Sequence, residues 1–197
     1  MSGRVKGVQK LISLKQPLSV YVHCSNHALD LALQETAREV SIVCNTLQTV
    51  RDAANIIRES SKRQQLFESI AAEVAVDSDK PTRLQPLCPT RWAVRSKAID
   101  TLCKAYCPTL QTFARLAHDK SVRPDSRSKA EGVLKALSSM ETYLGLLICL
   151  AIFGPCEELA ISLQSKTMTV SAAVHGASIL RSTLSAMRSE EKFSTSR

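Results

Sequence analysis

Cys24-Ser25-Asn26-His27 sets a thiol and an imidazole two residues apart, a pairing that could supply half of a zinc site or the reactive groups of a thiol nucleophile. Its neighbours complete neither chemistry. A structural zinc ion takes four ligands, and the cysteines that could join, Cys88, Cys103 and Cys107, form no paired motif at zinc-finger spacing. A nucleophile at Cys24 would gain from a helix N-terminus that lowers its pKa, but no third group is identifiable to orient His27. The residues favour a small buried thiol beside a histidine that hydrogen-bonds at the start of a helix, with no metal bound.

The carboxylates are no better placed for chemistry. Asp30, Glu35 and Glu39 fall on a single helix and Glu157 and Glu158 are adjacent, whereas a two-metal centre needs carboxylates that converge from separate elements. Pro89-Thr90-Arg91-Trp92 contains the only tryptophan. An indole beside a guanidinium can stack on a nucleic-acid base, or it can anchor a helix end in the core. The residues alone favour the core.

These groups must be positioned by helices. The chain has 197 residues, 44% of them hydrophobic, with only six Gly and seven Pro, which suits one domain with a real core and few turns. A formal net charge of +8 attracts polyanions, but the cations are dispersed. Arg4, Lys6 and Lys10 lie near the start, Lys62 and Arg63 follow a helical run, and Arg123, Arg127 and Lys129 surround Pro124. Such dispersion reads as solvated helix faces, and any contact with DNA as weak. Seven cysteines without a secretory leader read as reduced, intracellular thiols. The apolar run 143–153 is too short to cross a membrane and reads as a buried helix.

Spacing predicts a short helix over 2–14, stopped by Pro17, and a strand over 18–23, where apolar and polar residues alternate. From Asn26 the period is helical, with Leu29, Ala32, Leu33 and Thr36 on one side. Val43, Leu47, Val50, Ala54 and Ile57 form the seam of a second helix whose pattern runs on toward Val74. Residues 76–89 read as a loop, after which Thr90 is placed to N-cap a helix that buries Val94, Ala98, Leu102 and Ala105 and is stopped by Pro108. Further helices are expected over 110–118, 125–137, 140–153, 156–164 and 170–187, the last presenting Val170, Val174, Ala177, Leu180 and Leu184, and 189–197 as a frayed tail. A lone strand cannot satisfy its own backbone groups, so 18–23 is expected to join a sheet outside this chain.

Val22-His23-Cys24-Ser25-Asn26-His27-Ala28-Leu29-Asp30-Leu31 resembles the C-x-x-H-x-L-x-L signature of hAT-like transposases and their domesticated relatives. Leu87-Cys88-Pro89-Thr90-Arg91-Trp92 resembles the L-C-x-T-R-W element that opens an all-helical insertion in that family's RNase H-like domain. Residues 1–9 are similar to the stretch after a catalytic aspartate, and Phe153-Gly154 through Leu163-Gln164-Ser165-Lys166 to a late insertion helix. The kinship points to zinc finger MYM-type and THAP-domain repressor proteins.

The resemblance implies a mainly α chain, a fragment of an RNase H-like domain over 1–75 with one short strand, joined by the 76–89 loop to an all-helical insertion over 90–188. It marks Cys24, His27, Thr90, Arg91 and Trp92 as motif positions, and Arg91 and Trp92 as the nucleic-acid contact. A complete member would bind divalent metal through two aspartates before the C-x-x-H helix and a glutamate after the insertion, positions expected outside residues 1–197. The expected function is therefore binding without catalysis, with DNA or protein as partner, no cofactor, no membrane and a nuclear location. The alternatives are a truncated portion of an active transposase and a helical protein-interaction scaffold.

Overall fold

The computed structural model of the chain describes residues 7–20, 24–74, 81–87 and 95–188. Among them run nine helices: α1 (Val8–Lys15), α2 (Ser25–Glu39), α3 (Ser41–Arg58), α4 (Ser61–Val74), α5 (Ser96–Lys104), α6 (Tyr106–His118), α7 (Pro124–Leu137), α8 (Met140–Leu163) and α9 (Val170–Ala186). The chain is mainly helical, as its composition predicts. The described residues contain no strand. Leu18, Ser19 and Val20 are irregular, with Leu18 and Val20 almost fully exposed, so the expected strand finds no ladder there; 21–23, like 2–6 of the first predicted helix, lie outside the described residues.

α3 is the axis of the fold. Its seam residues Val43, Leu47, Val50, Ala54 and Ile57 are all buried, as their spacing predicts. They pack against α2, α4, α7 and α8, so one hydrophobic cluster draws residues from Leu33 to Ala160, on both sides of the 81–87 segment. α3 and α8 approach each other closely at Gly145. A β-carbon at Gly145 would stand 2.0 Å from Thr46 Oγ1, so glycine is what lets the two helices meet there.

Several boundaries differ from expectation for local reasons. The helical pattern from Val43 to Val74 is broken at Glu59 and Ser60, where a serine pair suited to helix starts opens α4. α5 begins at Ser96 with Arg95 at its N-cap, and the expected cap at Thr90 lies outside the described residues. The break before α6 falls at Ala105 rather than Pro108, which is the third residue of α6. A proline is tolerated there because that N–H has no intrahelical partner anyway.

The helices expected over 140–153 and 156–164 are one, α8, continuous through Pro155. An interior proline costs ~3 kcal/mol. Here Phe153, Cys156 and Ala160 are buried on both sides of it, against α3, α5 and α9, and their packing outweighs the lost bond. The helix is long and apolar enough to cross a membrane, where the shorter run had read as too short, but a third of that stretch is buried within the bundle.

Two apolar faces also turn out rotated. α2 buries Leu33 and Ala37 and leaves Ala32 and Thr36 exposed, with Asp30 and Gln34 half-buried. α9 buries nothing completely. Val170 and Val174 are exposed, and the side it turns to α8 carries Ala173, Gly176, Leu180 and Thr183.

Candidate functional site

In the C-x-x-H motif the inward position is neither the thiol nor the imidazole. α2 turns Asn26, Leu29, Leu33 and Ala37 toward the bundle, and Cys24 and His27 fall off that arc. Both are exposed, against the expectation of a buried thiol and a capping histidine. Cys24 occupies the N-cap of α2 by its backbone, and its side chain makes no capping bond.

Thr90, Arg91 and Trp92 lie outside the described residues, as does Cys88, but the chain on either side of them is described. The approach, 81–87, is strapped across α3 and α4. Arg58 Nη1 donates to the Leu84 carbonyl at 3.4 Å, Gln64 Nε2 donates to the Thr82 carbonyl at 3.2 Å, and Arg83 pairs with Glu68 at 3.4 Å. Leu84 and Leu87 are driven into the core. The hydrogen bond from Gln64 to Glu68, together with Arg83, holds that carboxyl below the usual range.

The departure is fixed as firmly. Arg95 is 1% exposed, and its carbonyl accepts the N–H groups of Ala98 and Ile99 to start α5. Ser96 Oγ donates to Glu157 Oε2 on α8. Burial raises the Glu157 pKa while Lys97 lowers it. Cys149 lies behind this junction, its thiol pushed up to about 12 by burial, with the nearby Arg95 charge acting in the opposite direction. Sequence reading missed Arg95 and Ser96, and it named Glu157 only as the neighbour of Glu158. A buried arginine three residues beyond a Trp has no spacing signature, and Ser96 meets Glu157 only through the fold.

The other residues singled out are dispersed. Cys103 is half-buried and Cys107 exposed, and burial, then the Asp100 charge, raises the Cys103 pKa. Asp30, Glu35 and Glu39 stay on α2, and Glu157 and Glu158 side by side on α8. Among the described residues no three of His, Cys, Asp or Glu come together.

The described residues define a helical bundle in which 81–87 and the start of α5 are both anchored to the core. Residues 22–137 match the family model of the ZBED1 RNase-like helical domain, and the chain belongs to that family, which makes it a relative of hAT and ZBED-like transposase-derived proteins. The match takes in both motifs and closes at the end of α7. Comparison with curated proteins and with solved structures gives no match.

Proposed function

We propose that this transposase-derived domain binds nucleic acid without catalysing a reaction, with Arg91 and Trp92 as its contact. The observation that carries the reading is the anchoring of the chain on both sides of 88–94, where Leu84 and Leu87 before it and Arg95 after it are buried. Anchored flanks cut the ordering cost of a contact, and a guanidinium beside an indole suits a phosphate and an unstacked base. The net charge of +8 supplies attraction that does not depend on base sequence. The finer kinship, to zinc finger MYM-type and THAP-domain repressors with part of an RNase H-like fold, belongs to the same proposal, as do a nuclear location and the lack of any cofactor.

The test is binding of the 197-residue chain to single-stranded and duplex DNA across a salt series. Trp92→Ala is expected to weaken single-strand binding roughly 10-fold, since a stacked base is worth ~1–3 kcal/mol. Arg91→Ala is expected to lower the salt slope by about one. Unchanged affinity in both variants would remove the motif from the interface. A melting temperature that rises with added Mn2+ would contradict the absence of a metal.

A second reading, a helical scaffold for protein partners, is favoured by α8, where Met140, Tyr143, Leu144 and Leu147 form an exposed apolar stripe.

A further inference from the structure

Lys62 and Arg63 open α4, while Arg123, Arg127 and Lys129 surround the start of α7, and the fold brings the two groups to one place. A cleft of about 550 Å3 runs between them, walled by Lys62 and Arg63 on the α4 side and Arg123 on the α7 side, with Leu66 and Leu116 beneath. A second cleft of about 450 Å3 shares Arg63 and Ser126 with the first and includes Lys129. The two therefore adjoin as one groove with cations on both walls.

Its charge is only partly answered among the described residues. The ion pairs among the described residues are Arg63 with Glu59, Arg83 with Glu68, Lys104 with Asp100 and Arg115 with Glu73. Lys62, Arg123, Arg127 and Lys129 have no such pair among the described residues. Of the carboxylates on the groove, Glu59 is taken by Arg63 and Asp52 accepts a hydrogen bond from Gln48. Asp119 accepts the Ser121 N–H at 2.8 Å, and with Lys62 and Arg127 nearby it stays ionised. It and Asp52, whose hydrogen bond from the neutral Gln48 amide leaves its charge in place, are the acids positioned to repel an anion there.

The geometry points to this groove as a seat for the phosphodiester backbone of a nucleic acid, additional to Arg91 and Trp92. Cations on two facing walls suit a narrow polyanionic chain that lies between them. A flat anionic membrane would engage one wall. The inference rests on the proposed nucleic-acid reading and specifies where the backbone lies.

Lys62, Arg123 and Lys129 are exposed, so replacing them leaves the core intact. The measurement is the affinity of the 197-residue chain for a short fluorescent DNA duplex of arbitrary sequence, over a range of salt. Lys62→Gln, Arg123→Gln and Lys129→Gln combined is expected to reduce the salt slope by about 2.7, at ~0.9 per phosphate contact, and to weaken binding roughly 10-fold at moderate salt. Asp119→Asn is expected to tighten binding severalfold, an effect that general loss of structure cannot produce. Arg181→Gln with Arg188→Gln on and beside α9 should change neither quantity. If the triple variant keeps its slope and Asp119→Asn its affinity while the chain still binds, the groove assignment is wrong and nucleic-acid binding stands. If the unaltered chain binds no DNA at any salt, the proposed function falls and the groove with it. Displacement of the duplex by polyglutamate or anionic vesicles as readily as by unlabelled DNA would overturn the inference in favour of an acidic protein or a lipid surface.

Discussion

α3 and α9 are helices of 18 and 17 residues with similar shares of apolar side chains, yet α3 has nine buried residues and α9 has none. The difference lies in their neighbours. Among the described residues α3 is enclosed by α2, α4, α7 and α8, whereas α9 packs mainly on α8. Apolar composition makes a helix able to be core, and the number of elements around it decides whether it is. α8 joins both regimes, with Leu146, Cys149 and Phe153 in the shared core and Leu159 turned to α9.

The comparison breaks most visibly if the α3–α8 side is hollowed. Phe153 is 1% exposed in the cluster that includes α3, and Phe153→Ala is expected to cost ~3–5 kcal/mol, which removes most of a marginal stability. Leu180→Ala on α9, whose side chain is half-buried, should cost less than about 1 kcal/mol. Equal losses of denaturation midpoint in the two variants would mean that α9 is as much part of the cooperative core as α3.

Two glycines sharpen the contrast further. At Gly145 a new methyl would meet Thr46 Oγ1 at 2.0 Å, on a short, buried side chain of α3 that cannot turn away. Gly145→Ala is expected to destabilise by ~1–3 kcal/mol despite a helix-propensity gain of about 1. At Gly176 the methyl would meet only Leu159 Cδ1, at 2.9 Å, the far end of a flexible side chain. There the propensity gain should win, so Gly176→Ala is expected to be neutral or stabilising by up to ~1 kcal/mol. Thermal melts of the two single variants and of Gly145→Ala with Thr46→Ala, which relieves the clash, decide it.

This contrast also marks how far the residues could be read. The α3 seam was legible because five apolar positions recur at steps of four and three, and a helix enclosed on many sides buries every one of them. α9 has an equally regular stripe, Val170, Val174, Ala177, Leu180 and Leu184, but its actual contact joins Leu180 to small residues, of which Gly176 admits Leu159 closely. Close approach of small side chains leaves no hydrophobic period. Pro155 misled for a related reason, since packing on both sides carries the helix through a residue that locally breaks it. At the motifs, Cys24 and His27 were recognisable by spacing, but the spacing says nothing of which side of α2 they occupy. The straps that fix the flanks of Arg91 and Trp92, from Arg58 to Leu84 and from Ser96 to Glu157, join residues remote in sequence. The groove cations were visible only as separate short groups.

The enclosed side of α8 should also respond to alkali in a way that α9 cannot. Burial raises the Cys149 pKa from 9.0 to about 12, so the folded state keeps the thiol protonated where the unfolded chain would ionise it. That stabilisation is complete below about pH 9 and is lost as pH rises from there to about 12, because the unfolded state then binds fewer protons. Denaturation midpoints measured upward from neutral pH should fall across that window. At pH 8 a thiol reagent should modify exposed Cys24, Cys44 and Cys107 while Cys149 and Cys156 stay protected. Fast labelling of Cys149 would show that the packing of α5 against α8 opens readily.

The smallest effect is the most discriminating, because it uses the same chemistry on both helices. Ser139 caps α8 by accepting the Thr142 N–H at 3.1 Å, and Thr169 caps α9 by accepting the Ala172 N–H at 3.1 Å. Either cap replaced by Ala should cost about 1 kcal/mol locally. For Ser139→Ala the cost should be felt in global unfolding, since the first turns of α8, with buried Thr142, Gly145 and Leu146, form only with the core. For Thr169→Ala the helix can fray while everything else stays folded, because α9 contributes no buried residue to that core. Hydrogen exchange should therefore show faster exchange confined to α9 with an unchanged global midpoint in Thr169→Ala, and a lowered midpoint in Ser139→Ala. A midpoint that falls equally in both would make α9 a full member of the bundle, and its exposed Val170 and Val174 would then need a different explanation from simple lack of neighbours.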